Sequence, residues 1–236
     1  MNNEQLIINN EQWLKNNPYP GRGLILGFGL GGERVQVYWI MGRSENSKNR
    51  VFVKNSDGSV STKAFDEKKV TDPSLIIYNP FKIFKDVHII SNGDQTDTIA
   101  EFLAEGKTAC QALETRTYEP DAPNYTPRIS GIFYPNGSYA LSILKASSKE
   151  NPKRESIFIE KEAGTLGMGE MLTTYEGEED PLVSFIGLPK TMPIKNTAQE
   201  TLEFYWNMLN PKYRVSILVN WIENNKNEVL IKNEHT

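Results

Sequence analysis

Gly23-Leu24-Ile25-Leu26-Gly27-Phe28-Gly29-Leu30-Gly31-Gly32-Glu33-Arg34-Val35-Gln36-Val37-Tyr38-Trp39-Ile40-Met41 is the stretch on which the fold turns. Two apolar runs rich in β-branched and aromatic residues flank Gly31-Gly32. Paired glycines tolerate the positive φ that a tight reversal needs, so Gly23–Leu30 and Arg34–Met41 are predicted to pair as a hairpin. A second hairpin is predicted from Arg50-Val51-Phe52-Val53 and Val60–Phe65 across Asn55-Ser56-Asp57-Gly58. Ser74–Tyr78 and Asp86–Ile90 read as further strands, with Pro80 between them.

The period then changes. After Ser91-Asn92-Gly93-Asp94, Ile99, Phe102 and Leu103 recur at helical spacing, and Gly106 ends that segment. Lys107–Glu114 reads as a second helical piece on the same layer. Strands return at Arg128–Tyr134 and Ser138–Lys145, joined by Pro135-Asn136-Gly137, and again at Ser156–Glu160. Thr197-Ala198-Gln199-Glu200 has the capping-box pattern of a helix start, with Leu202, Tyr205, Trp206 and Leu209 as its buried face. Tyr213–Trp221 reads as a last strand, followed by a polar tail. Residues 1–18 are a polar extension with one short helix around Glu11–Leu14, ahead of a single domain over 19–236. The class is α+β, sheets with helices packed outside.

Composition narrows the chemistry. Hydrophobic residues make up 38% of the 236, an ordinary globular content. A net charge of −4 argues against a sequence-independent nucleic-acid binder, so an anionic ligand must be met by a local cluster. The single Cys110 allows no internal disulfide and no cysteine-based zinc site, and two histidines are too few for most metal centres. The opening residues lack the pattern of a signal peptide, and no apolar run reaches the ~20 residues of a membrane helix. The expectation is a cytoplasmic protein without metal or cofactor and without nucleic-acid or membrane partners.

Three clusters could carry chemistry. Arg22, Arg43, Lys48 and Arg50, with Ser44, Asn46 and Asn49 among them, combine planar cations with oriented donors, as phosphate recognition requires. The alternative is a solvated strand end making ordinary ion pairs, including one with Glu45. Asn92 and Gly93 precede a helix start that could hold an anion, but Asp94, Thr96 and Asp97 are expected to cap it themselves. The proline-rich segment Arg116–Arg128 offers Glu119 as an acid/base group, or is a solvated connection. Tyr78-Asn79 adds a phenol and an amide at a strand end. No P-loop or Rossmann pattern is present, and a Ser-His-Asp triad would have only His88, in a strand.

Tyr19-Pro20-Gly21-Arg22-Gly23, Arg43-Ser44 with Asn49-Arg50, Ile77-Tyr78-Asn79, Ser91-Asn92-Gly93 with Thr96-Asp97, and Asn124-Tyr125-Thr126-Pro127-Arg128-Ile129 together resemble the archaeal-type inosine monophosphate (IMP) cyclohydrolase family. The resemblance covers roughly the first 130 residues. It implies a four-layer αββα sandwich, the amino-terminal-nucleophile hydrolase fold used without a terminal nucleophile. It also implies closure of 5-formamidoimidazole-4-carboxamide ribonucleotide to IMP, a purine ribonucleotide as ligand, no cofactor, and room for a homo-oligomer. By motif match, Arg50, Tyr78 and Glu119 fall at catalytic positions. Arg22, Arg43, Ser44, Asn49, Asn92, Gly93, Asn124, Thr126 and Arg128 fall at substrate-binding ones. The other readings are a non-catalytic purine-nucleotide binder and an amide hydrolase of the same fold.

Overall fold

The glycine hairpin forms as the sequence predicts: β1 (Gly23–Phe28) and β2 (Arg34–Met41) pair antiparallel, Gly23 opposite Trp39 and Phe28 opposite Arg34. The structure, a computed structural model, describes residues 3–70, 77–224 and 226–235. The second hairpin pairs β3 (Arg50–Lys54) with β4 (Val60–Ala64). The strand expected over Ser74–Tyr78 lies outside the described residues except for Ile77 and Tyr78, which are not in a strand. Then follow β5 (Phe81–Phe84), β6 (Val87–Ser91), α3 (Gln95–Ala104), α4 (Ala109–Glu114), β7 (Arg128–Phe133), β8 (Tyr139–Ala146) and β9 (Arg154–Lys161). Before them stand α1 (Asn3–Asn16) and the single turn α2 (Glu45–Lys48). The chain continues as β10 (Met168–Thr173), β11 (Lys190–Pro193), α5 (Ala198–Met208), β12 (Arg214–Glu223) and β13 (Lys226–Asn233).

The strands form two antiparallel sheets, ordered β11-β10-β1-β2-β12-β13 and β3-β4-β5-β6-β7-β8-β9. Strand alternation divides their side chains. Leu24, Leu26, Tyr38, Ile40 and Leu218 meet Phe52, Phe81, Ile90, Ile129 and Ile143 in a core between the sheets. Ile25, Val37, Trp39 and Ile217 turn the other way, onto Leu14 of α1 and Leu202, Tyr205 and Trp206 of α5. Ile89, Ile132, Ala140 and Leu144 pack against Ile99 of α3 and Ala112 and Leu113 of α4. Each fully buried aliphatic or aromatic side chain is worth about 1.5–3 kcal/mol. The result is a mixed α+β fold with two antiparallel sheets and few helices. Among the described residues, no helix is long and apolar enough to cross a membrane.

Four strands lie where no strand was predicted. β10 begins inside the glycine-rich segment Gly164–Gly169: Gly27 faces Gly169 across the ladder, and a Cβ on Gly27 would come within 2.5 Å of Gly169 Cα. Those glycines permit close approach of β1 and β10. β13, in the polar tail, is an edge strand whose only ladder among the described residues is to β12, and such an edge needs few apolar residues. β5 and β11 are four residues each, too short for a periodic pattern. The polar extension is anchored rather than loose: Leu14 is buried, and Asn10 and Asn17 donate to the carbonyls of Thr191 and Glu176.

Candidate active site

One end of the inter-sheet layer gathers chain reversals from both sheets. Arg22 lies just before β1, Arg43 just after β2, Arg50 at the start of β3, Tyr78 before β5, Asn92 after β6, and Thr126 before β7. Alternation along β1, β2 and β3 turns Arg22, Tyr38 and Arg50 to the same face as Leu24, Ile40 and Phe52.

Arg50 is completely buried. Its Nε donates to the Ser47 carbonyl at 2.8 Å and its Nη2 to the Met41 carbonyl at 3.5 Å, while Nη1 has no partner among the described residues. No carboxylate pairs with it among the described residues. Burial pulls its pKa down, and the neighbouring Arg22 adds to that pull against the opposing influence of Tyr78. Arg22 faces Glu119, Nη2 to Oε2 3.8 Å, and its Nε is also buried without a partner among the described residues. Burial opposes its charge, yet Glu119, Tyr175, Tyr78 and Tyr19 together hold its pKa well above the usual range. Glu119 is pushed up by burial, and Arg22, Arg128 and Arg50 oppose that shift. Isolated buried cations are costly unless paired. This cluster therefore carries unbalanced positive charge and unspent N–H donors.

Tyr19 links the arginines. Burial raises its pKa, while Arg22, Arg50 and Arg43 all act on it in the other direction, and the Arg43 guanidinium lies 5.4 Å from its ring centre. The alternative of a solvated strand end with ordinary ion pairs is met only in part: Ser44 and Glu45 are exposed, but Glu45 makes no ion pair among the described residues. Lys48 instead lies 5.7 Å from the Tyr213 ring centre. Tyr78 is held from both sheets. Its backbone N–H donates to Thr62 Oγ1 at 2.8 Å, its carbonyl accepts from the Thr62 N–H at 2.9 Å, and its hydroxyl lies 2.7 Å from that of Tyr38.

The remaining predicted residues brace the cluster. Ser44 caps α2 reciprocally with Ser47, a turn that aims the Ser47 carbonyl at Arg50. Asn49 bonds the Asp66 backbone in both directions, at 2.7 and 2.8 Å. Asn92 donates to the Pro127 carbonyl and accepts from the Ile129 N–H, each at 2.8 Å, tying β6 to β7. Thr126 donates its hydroxyl to Asp121 and so accepts from Tyr175, 2.5 Å away. Asn124 accepts from the Leu182 N–H at 3.1 Å.

One expectation is overturned at the start of α3. Asp94 makes no capping bond; it pairs with Arg116 and with Arg128 Nη1 at 2.7 Å. Asp97 accepts from Asn79 and from Lys82 Nζ, the latter at 2.7 Å. Three nearby cations, Arg116, Arg128 and Lys82, outcompete the helix donors for these carboxylates. Gly93 makes room for the same arrangement, since a Cβ there would lie 2.4 Å from Arg128 Nη1.

Sequence reasoning passed over Tyr38 and Tyr175 as site residues. Tyr38 had a visible signal, a phenol on the apolar face of β2. Tyr175 had none, because the loop after β10 takes its place only in three dimensions. A hollow of about 430 Å³, lined by Tyr139, Lys161, Glu170 and Thr191, lies at the far end of β10. Its charges are already spent: Lys161 pairs with Glu170, which also accepts from Tyr139 at 2.9 Å.

Comparison with known proteins agrees with the motifs. The family described as IMP cyclohydrolase-like protein matches residues 19–227. The IMP cyclohydrolase of Methanocaldococcus jannaschii is 32% identical over 122 residues, 51% of this chain and 59% of that protein. The one of Methanococcus maripaludis is 34% identical over 125 residues, 51% of this chain and 61% of the relative. The one of Methanopyrus kandleri is 33% identical over 118 residues, 48% and 58% respectively. The chain thus spans about three fifths of the length of the curated relatives it matches. With the family match running unbroken from Tyr19, through every segment of the buried arginine cluster, to Asn227, the chain belongs to the IMP cyclohydrolase-like protein family.

Proposed function

We propose that this protein is a cytoplasmic IMP cyclohydrolase, closing 5-formamidoimidazole-4-carboxamide ribonucleotide to IMP with loss of water, as a step of purine synthesis. The observation that carries the reading is the pair of buried guanidinium groups, Arg22 and Arg50, each with an N–H unpartnered among the described residues, and the buried Glu119 carboxyl 3.8 Å from Arg22. Helices on the outer faces of both sheets, with an apolar layer shared between the sheets, support reading the fold as a four-layer αββα sandwich of the amino-terminal-nucleophile type.

The chemistry suits such a site. The carboxamide nitrogen attacks the formyl carbon of the same molecule, forming the ring C–N bond. The formyl oxygen departs as water with one proton from each of the two nitrogens. Holding that conformation is worth about 7–11 kcal/mol of barrier, and each well-aimed donor to the developing oxyanion about 2.7–4 kcal/mol more. Arg50 and Tyr78 stabilise the formyl oxygen and the leaving water. Glu119, its pKa raised by burial, takes the proton from the attacking amide. Arg22, Arg43 and Arg128 hold the phosphate and ribose.

The test is the absorbance change on converting purified substrate to IMP, with calorimetry of IMP alongside. Turnover lost in Arg50→Ala and Glu119→Gln supports the reading. IMP binding without turnover by the wild-type protein would show a nucleotide-binding protein instead, and neither binding nor turnover would end the proposal.

A further inference from the structure

Tyr38 and Tyr78 approach from opposite sheets, Tyr38 from β2 and Tyr78 from the segment before β5, and their hydroxyl oxygens lie 2.7 Å apart. Two phenols share that one contact, so one hydroxyl proton is used in it and the other points elsewhere. Which one is free follows from the surroundings. Tyr38 is 0% exposed, whereas Tyr78 is 7% exposed. Tyr38 has no other hydrogen-bond partner among the described residues, and the charged groups acting most directly on it, Arg22 and Arg50, are donors that cannot accept a proton. Were Tyr78 the donor, the Tyr38 proton would be sealed in the core without an acceptor and would carry the full desolvation penalty. Burial first, and Tyr78 second, hold the Tyr38 pKa well above its usual value, so the group stays a phenol. Its ring is fixed by stacking on Phe52, centres 5.7 Å apart and planes 27° from parallel.

We infer that Tyr38 is a positioning residue: it donates its hydroxyl proton to the Tyr78 oxygen and thereby turns the Tyr78 proton outward, on the side of Arg22 and Arg50. This rests on the cyclohydrolase reading for its catalytic consequence, because an outward Tyr78 proton is what the departing formyl oxygen would need. The direction of the bond stands independently of that reading. With its backbone bonded to Thr62 and its oxygen occupied by Tyr38, Tyr78 has one direction left in which to donate.

Two measurements on the full chain separate the inference from its parent. In thermal melts, Tyr38→Phe leaves the hydroxyl of Tyr78, the more exposed of the two phenols, while Tyr78→Phe strands the buried Tyr38 proton. Tyr78→Phe is therefore expected to melt about 4 °C or more below Tyr38→Phe. Equal melting, or a lower value for Tyr38→Phe, overturns the direction of the bond whether or not the protein turns over substrate. In the cyclisation assay, Tyr38→Phe is expected to lower kcat about tenfold with KM within about twofold, as loss of an interaction used only in the transition state should. The double variant is expected to be no slower than Tyr78→Phe alone. A kcat for Tyr38→Phe within twofold of wild type, or losses that multiply in the double variant, overturns the positioning role. A wild-type protein without turnover would overturn the parent reading and with it the catalytic consequence, while the melts still decide the bond.

Discussion

Tyr38 and Gln36 stand two positions apart on the same face of β2, and each belongs to a different kind of buried polar cluster. Gln36 is part of a neutral set in which the donors find acceptors. Its Nε2 donates to the His88 carbonyl at 3.1 Å and its Oε1 accepts from Asn220 Nδ2 at 2.9 Å. The Asn220 amide also lies 3.2 Å from His88 Nδ1, and its Oδ1 accepts from Asn227 at 3.3 Å. Tyr38 instead lies in the field of two buried cations, both with an idle N–H and one without a carboxylate partner among the described residues. The same inter-sheet layer thus holds one polar cluster that closes on itself and one that stays open. A closed network specifies how the sheets align; an open, charged one retains its binding capacity for a ligand.

The largest effect should come from Glu119→Gln. Removing a general base costs about 10²–10⁴ in rate, and a loss under threefold would show that the open cluster does not use this carboxyl. Arg50→Met comes next, with turnover down about 10²–10³-fold. Because it removes an uncompensated buried charge, its melting temperature should stay level or rise, whereas a steep fall would make Arg50 structural. The closed cluster should behave in the opposite way. Asn220→Ala leaves Gln36, His88 and Asn227 short of partners, costing about 1–3 kcal/mol, or several degrees in melting temperature, with turnover within twofold. Lost activity at unchanged stability would erase the contrast between the two regions.

The smallest effect is in pH. His88 is lowered from 6.5 to about 4, by burial first and the nearby Arg34 second, with Asp86 opposing. An imidazole that resists protonation when folded binds fewer protons than the unfolded chain between those values. Its contribution is therefore complete above about pH 6.5 and is lost as pH falls toward 4, roughly 2 kcal/mol by pH 5. His88→Gln should flatten the decline in melting temperature between pH 7 and 5 relative to wild type. An unchanged slope would mean that His88 is not held neutral.

Much of this was legible along the chain. The hairpins at Gly31-Gly32, Asn55–Gly58 and Pro135–Gly137, the helix after Asp94 and the buried face of α5 rest on local rules, namely turn chemistry and side-chain period. Those rules failed where an element draws its stability from its neighbours. Met168–Thr173 is a strand because Gly27 and Gly169 let it approach β1. Lys226–Asn233 is one because β12 offers a free edge. The cap expected of Asp94 failed for the same reason, since Arg128 arrives from thirty-four positions away.

The residue types of the site, arginines, phenols and a carboxyl among glycines and prolines, were present in the linear order alone, as was the family those motifs resemble. Which of them meet was a matter for the tertiary structure. Burial of Arg50 without a counter-ion, the approach of Glu119 to Arg22 and the pairing of Tyr38 with Tyr78 all join segments from different parts of the chain. Charge and hydrogen-bonding capacity belong to a residue. Desolvation and partnership belong to its surroundings, and only the packing of one sheet on the other creates those.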